Sequence, residues 1–117
     1  MKKILIVTGM CILLISAMSF QIILKTSLQI KVLSQLGSAV PGVEVKIYGN
    51  KEDYNASKNQ IGQTGYTNEK GLVLFKDLKA SPYYVSAKKD KLNNFGGAEL
   101  TDTLTAGRRN RVTIIIN

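Results

Sequence analysis

The sequence predicts an all-β domain, a sandwich of seven short strands, and three observations carry that expectation. Past the N-terminal apolar run, no stretch repeats apolar residues at i, i+3, i+4 and i+7, as a core-facing helix would. Short runs instead alternate apolar and polar side chains, the period of a strand with one buried face. Turn residues, chiefly Gly, Pro and Asn, separate those runs at close intervals.

The chain opens with Met1-Lys2-Lys3, then Ile4 to Ile15, apolar except for Thr8 and Gly9, then the small-residue patch Ser16-Ala17-Met18-Ser19. That order is a secretory signal peptide, helical in its apolar part, spanning residues 1–19. Ala17 and Ser19 take the −3 and −1 positions, so cleavage is expected between Ser19 and Phe20. Residues 20–27 then form a linker and 28–117 the domain. The alternative is a retained anchor, since Ile4 to Leu24 is long enough to cross a bilayer. Membrane contact would come only through this segment. Either way the domain is exported: periplasmic, cell-surface or secreted. Cys11, the only cysteine, lies inside the apolar run and is a poor lipid acceptor. The mature domain is therefore without disulfides.

The first strand is Leu28 to Val32, with Leu28, Ile30 and Val32 inward. Gly37 and then Val40-Pro41-Gly42 turn the chain. Val43 to Tyr48 alternates next, with Val43, Val45 and Ile47 inward and Glu44, Lys46 and Tyr48 outward. Residues 49–60 lack an apolar period and read as a surface loop. A short strand over about 61–67 leads into Asn68-Glu69-Lys70-Gly71, a tight turn in which Gly71 is free to take a positive φ. The strand 72–76 follows, with Val73 and Phe75 inward and Leu74 outward. Tyr83 to Ala87 puts Tyr83, Val85 and Ala87 on one face. Residues 88–97 form a second polar loop, 100–104 a weak strand, and 111–117 a strong final one.

Thr67-Asn68-Glu69-Lys70-Gly71-Leu72-Val73-Leu74-Phe75-Lys76-Asp77-Leu78, with Val40-Pro41-Gly42 before it and Tyr83-Tyr84-Val85 after it, resembles the carboxypeptidase regulatory-like and Cna protein B-type domains. The resemblance covers residues 28–117. It implies a Greek-key sandwich of the transthyretin-like (prealbumin-like) kind and a non-catalytic module with a structural or assembly role on exported bacterial proteins. Some Cna-type domains form an internal Lys–Asn isopeptide bond, for which Lys31 and Asn117 are the nominal pair. Lys31 faces outward by alternation, and the strand from Tyr83 has no acid to promote the reaction. No such bond is expected.

Composition narrows the chemistry. There is no histidine, the commonest general base and metal ligand. A Ser86–Lys88 pair and the acidic loop of Asn50, Glu52, Asp53 and Asn55 read as solvated surface. No catalytic residue, cofactor or metal is assigned. The transthyretin-related hydrolase alternative lacks its histidines and its Tyr-Arg-Gly-Ser-type ending. Asn55-Ala56-Ser57 matches a short sequon. The chain carries 16 basic against 8 acidic residues; loss of Lys2 and Lys3 with the leader leaves +6. Arg108, Arg109 and Arg111 form one basic cluster, a candidate for anions such as an acidic polysaccharide. Without interleaved aromatics it does not suit nucleic acid. Leu33, Leu74 and Ile115 break the alternation on faces that should be wet and form a candidate patch for a protein partner in the envelope. Outward Tyr48, Tyr54, Tyr66 and Tyr84 are the basis of a carbohydrate-binding or adhesin-like alternative.

Overall fold

The computed structural model describes residues 25–117. The expected signal peptide lies outside the described residues. Seven strands and one short helix follow in order: β1 (Thr26–Ser34), β2 (Glu44–Tyr48), α1 (Lys51–Ala56), β3 (Gly65–Tyr66), β4 (Leu72–Leu78), β5 (Tyr84–Lys89), β6 (Leu92–Asn93) and β7 (Arg109–Ile116). They build a three-stranded sheet, β4-β1-β7, and a four-stranded sheet, β3-β2-β5-β6. β1 runs antiparallel to β4 and parallel to β7. β3 packs against β4 across the sheet edge. β5, β2, β3 and β4 therefore follow the Greek-key order, in which the fourth strand returns beside the first.

Burial decides the registers. Leu28, Ile30 and Val32 from β1 meet Val45 and Ile47 from β2 and Val85 and Ala87 from β5, all at zero exposure. Val43, Phe75, Tyr83, Leu104, Ile114 and Ile116 complete the core, with Val40, Val73, Leu78 and Val112 against its rim. Each fully buried aliphatic of this set is worth roughly 1.5–3 kcal/mol of transfer free energy. The expected inward faces of β1, β4 and β5 are those observed.

The corner at Thr67–Leu72 is braced more closely than turn chemistry alone requires. The Thr67 hydroxyl donates to the Val40 carbonyl (2.6 Å) and accepts from the Val43 N–H (2.9 Å). The Asn68 side-chain oxygen accepts from the N–H groups of Lys70 (2.9 Å) and Leu72 (3.1 Å). Gly71 takes φ +73°, and a Cβ there would stand 2.7 Å from the Val32 carbonyl oxygen. A second corner is held by Tyr83, whose hydroxyl donates to the Lys79 carbonyl (2.9 Å) and accepts from the Lys79 N–H (3.0 Å). The same device is known from other Greek-key sandwiches.

The expected loop 49–60 contains α1, and four expectations about the strands are corrected. β1 begins at Thr26, inside the expected linker, because Thr26 pairs with Leu78 and its hydroxyl accepts from the Gly107 N–H (2.9 Å). The strand expected over 61–67 shrinks to Gly65–Tyr66, since the chain turns at Gly62 (φ 68°). Residues 100–104 form no strand beyond a single bridge from Leu100 to Tyr84. There the Thr101 hydroxyl accepts from the Tyr83 N–H (3.0 Å) and donates to the Asp102 carbonyl, replacing ladder bonds. The seventh strand is β6 instead, folded back on β5 through Asp90 in a left-handed conformation (φ 53°), within a stretch expected to be loop.

The two sides of the sandwich differ. On one, Asn93 and Asn117 exchange backbone hydrogen bonds (3.0 and 3.2 Å) and tie β6 to the chain end after β7. On the other, β3 and β4 leave an open groove of about 470 Å³ lined in part by Ile61, Leu74, Phe75 and Leu78. The free edge of β4 ends in a bulge, where Lys76 and Asp77 face the single residue Ser27 and Asp77 takes φ 58°. Such a bulge twists an edge away from further strand pairing.

Candidate functional site

The outer faces of the two sheets are finished in different ways. That of the four-stranded sheet is covered at its Tyr48–Tyr84 end. Asn50 caps α1, its side-chain oxygen accepting from the Asp53 N–H (2.8 Å), with Glu52 and Asp53 in the first turn. The helix drops Tyr54 onto the sheet, edge-on to Tyr48 (centroids 5.8 Å apart) and tilted on Tyr84 (5.6 Å). Phe95 closes the cluster against Tyr54 (6.2 Å), and the Lys88 ammonium sits 5.0 Å from its ring centroid. Such edge-on and tilted aromatic contacts add to simple burial.

This cluster corrects the reading of the tyrosines. Tyr48 does leave the outer side of β2, yet it is 2% exposed, because α1 covers it. Tyr54 is buried as well and Tyr84 half-buried; Tyr66 alone stays open. The four offer no shared platform for a sugar ring. Asn50 and Asp53 are likewise spent on the helix cap, with Asn59 donating to Asp53 (3.2 Å). Ser86 is buried on the central strand β5, not on a solvated edge.

Among the described residues the Tyr54 hydroxyl makes no well-formed hydrogen bond, although the Glu99 carboxylate lies near it. Burial first, then the nearby Glu99 carboxylate, pushes its pKa up to about 12 from the ordinary 10. The neutral phenol is thus favoured in the folded state, so the fold loses stability as pH rises from 10 towards 12. Tyr54→Phe should flatten that alkaline limb in thermal melts. It should leave neutral-pH stability about equal, because a buried hydroxyl without a well-formed hydrogen bond is removed.

The outer face of the three-stranded sheet carries no such cover among the described residues. Its outward positions form cross-strand rows: Arg109 beside Ser27; Arg111, Gln29 and Leu74; Thr113, Lys31 and Leu72; Ile115 beside Leu33. Arg109 and Arg111 are exposed, as is Lys31. Ile115 is 54% exposed, whereas Leu33, Leu72 and Leu74 are half-buried. The two candidate groups read separately from the sequence therefore occupy one face. Leu33 and Ile115 are direct neighbours. Leu74 lies two rows away from them, and it lines a depression of about 270 Å³ together with Arg109. Arg108 stands apart in the turn before β7, where its carbonyl accepts from the Ser27 N–H (3.1 Å).

One structurally decisive residue left no signal in the sequence. Asn94, 1% exposed, accepts from the Ala87 N–H (3.0 Å) and donates to the Val85 (2.8 Å) and Ala98 (3.2 Å) carbonyls. Its amide acts as the peptide group of a missing strand beside β5. Among the described residues no group of three or more His, Cys, Asp or Glu could hold a metal ion.

No family model and no curated protein matches the sequence. The fold is similar to that of several solved structures, including the following two. One is the Bacillus anthracis TIE protein, at 19% identity and a TM-score of 0.55, covering 80% of this chain and 17% of that one. The other is BcpA, the major pilin subunit of Bacillus cereus, at 12% identity and a TM-score of 0.55, covering 80% of this chain and 30% of that one. This chain thus spans less than a third of either. At such identities the likeness establishes a shared fold, the β-sandwich.

Proposed function

We propose that the chain is an exported, non-catalytic β-sandwich module with a structural, protein-binding role at the cell envelope. The observation that carries this is where the buried polar chemistry goes. Four of the five buried polar residues among those described, Thr26, Thr67, Asn94 and Thr101, spend their side-chain hydrogen bonds on the chain's own backbone. A catalytic site instead converges polar groups on a pocket. The fold shared with a pilin subunit supports an assembly role. The braced segment Thr67–Leu78, with Phe75 in the core, supports placing the domain among the transthyretin-like carboxypeptidase regulatory-like and Cna B-type modules. It is a plain member without an isopeptide link: Lys31 is exposed and pairs with Thr113, four positions short of Asn117.

Expression of the full chain with a C-terminal tag in a bacterial host, followed by fractionation and intact-mass measurement, tests this reading. The expected product is exported, either cleaved after Ser19 or held by residues 4–24, with no further mass missing beyond the leader. A cytoplasmic, unprocessed product overturns the envelope role. A deficit of one ammonia overturns the plain sandwich.

A further inference from the structure

The outer face of the three-stranded sheet combines two chemistries in one plane, and their combination narrows what fits it. Lys31, Arg109 and Arg111 project from β1 and β7 with Leu33, Leu72, Leu74 and Ile115 between and beside them. The one acid on these three strands, Asp77, sits at the β4 bulge and is paired with Lys25 (3.2 Å). No outward position of the face carries a carboxylate to neutralise its cations, and α1 packs on the other sheet. We propose that this face is a docking surface for an acidic segment of a partner protein, one carrying carboxylates beside aliphatic side chains.

Charge complementarity selects the acidic character. An arginine guanidinium matches a carboxylate through paired N–H donors, and opposed potentials steer encounter. The aliphatic rows select a protein over other anions. Leu33 with Ile115, and Leu72 with Leu74, offer apolar contact that an anionic polysaccharide cannot use, and the face presents no aromatic ring for sugar stacking. A membrane surface is disfavoured too. Interfacial binders sink an apolar face below a cationic one, with bulky tips in front; here cations and aliphatics are coplanar and Ile115 alone protrudes. A second copy is disfavoured because the chain carries a net charge of +8, and two such faces would repel. The depression shared by Leu74 and Arg109 gives an aliphatic side chain and a neighbouring carboxylate adjacent seats.

This proposal rests on the protein-binding reading above, and its test is separable from the test of export. The full chain is titrated with three probes: a soluble peptide alternating glutamate and leucine, polyglutamate of equal charge, and phosphatidylglycerol vesicles. The peptide should bind best, and its affinity should fall with salt. Arg111→Gln and Ile115→Ser should each weaken it by about tenfold, the loss of one central contact. Lys46→Gln, on the opposite sheet, should not. Unchanged melting temperatures show that the variants are folded. Equal binding of polyglutamate, stronger binding of the vesicles, or indifference to both substitutions overturns the proposal. If the chain is exported but the face is inert, the envelope role stands and the docking surface falls. If the face binds but the chain stays in the cytoplasm, the reverse holds.

Discussion

Gly71→Val should be the most damaging single substitution in the Thr67–Leu78 corner, lowering stability by about 3–5 kcal/mol. Two costs combine. A side chain at φ +73° costs roughly 1–2 kcal/mol, and more for a β-branched residue. The new Cβ also meets the Val32 carbonyl oxygen at 2.7 Å, with Ala39 Cβ and the Val40 N–H each at 3.2 Å. The carbonyl is backbone of a core strand and already accepts from the Val40 N–H (3.1 Å), so it cannot yield without breaking the β1 turn. Overpacking of this kind costs roughly 1–3 kcal/mol. For a domain of this size that loss lowers the melting temperature by about 12 °C or more. Gly37→Ala is the internal control: it has a similar φ (+83°) and nothing within 4 Å of the added Cβ. It should cost only the conformational part, about 1–2 kcal/mol. Equal melting temperatures for the two variants would mean that the close approach at Gly71 carries no energy.

Asn94→Ala should cost about 2–4 kcal/mol, since it strands the buried Ala87 N–H and Val85 carbonyl that the amide satisfies. Amide exchange at Ala87 should accelerate by more than at Ile30, because the loss is local to the β5 edge. Asn94→Asp separates hydrogen bonding from packing. A buried carboxylate there still accepts from Ala87 but faces the Val85 and Ala98 carbonyls that formerly took its N–H donors. Its pKa would be raised in the folded state relative to the unfolded one, because burial and the facing carbonyl oxygens disfavour the charged form. The variant should therefore be most stable at low pH and lose stability as pH rises through the carboxylate range. A melting temperature independent of pH between 3 and 7, roughly the span such a carboxyl titrates over, would refute the assignment of Asn94 as a donor to those carbonyls.

The strands that build the core were legible because burial of one face imposes a period of two. Leu28, Ile30, Val32, Val45, Ile47, Val85 and Phe75 lie where alternation puts them. Alternation names a face and is silent on what covers it, which is why Tyr48 was expected in solvent and lies under Tyr54. α1 is too short to show a helical period; its legible trace is the cap, Asn50 followed by Glu52 and Asp53. Residues 92–93 and 100–104 were misjudged for a related reason: side chains, not the pattern, decide there. Thr101 takes over backbone bonds and prevents a strand, whereas the turn at Asp90 permits one. Arg109, Arg111, Leu33, Leu74 and Ile115 were each singled out from the sequence. Their sharing of one face follows from the parallel β1–β7 register, a long-range pairing that no local pattern encodes.

That parallel pairing also determines how the domain meets tension. The chain enters β1 at Thr26 and leaves β7 at Ile116, at opposite ends of two adjacent, co-directed strands. A pull applied at those two points runs along the shared strand axis and loads the pairs from Ser27–Arg109 to Ser34–Ile116 together, in shear. Separation requires the whole ladder to slip at once instead of opening bond by bond, and slipping drags Ile30 and Val32 past Ile114 and Ile116 in the core. The same connection that places the cations beside the aliphatic rows makes this sandwich a stiff link under load.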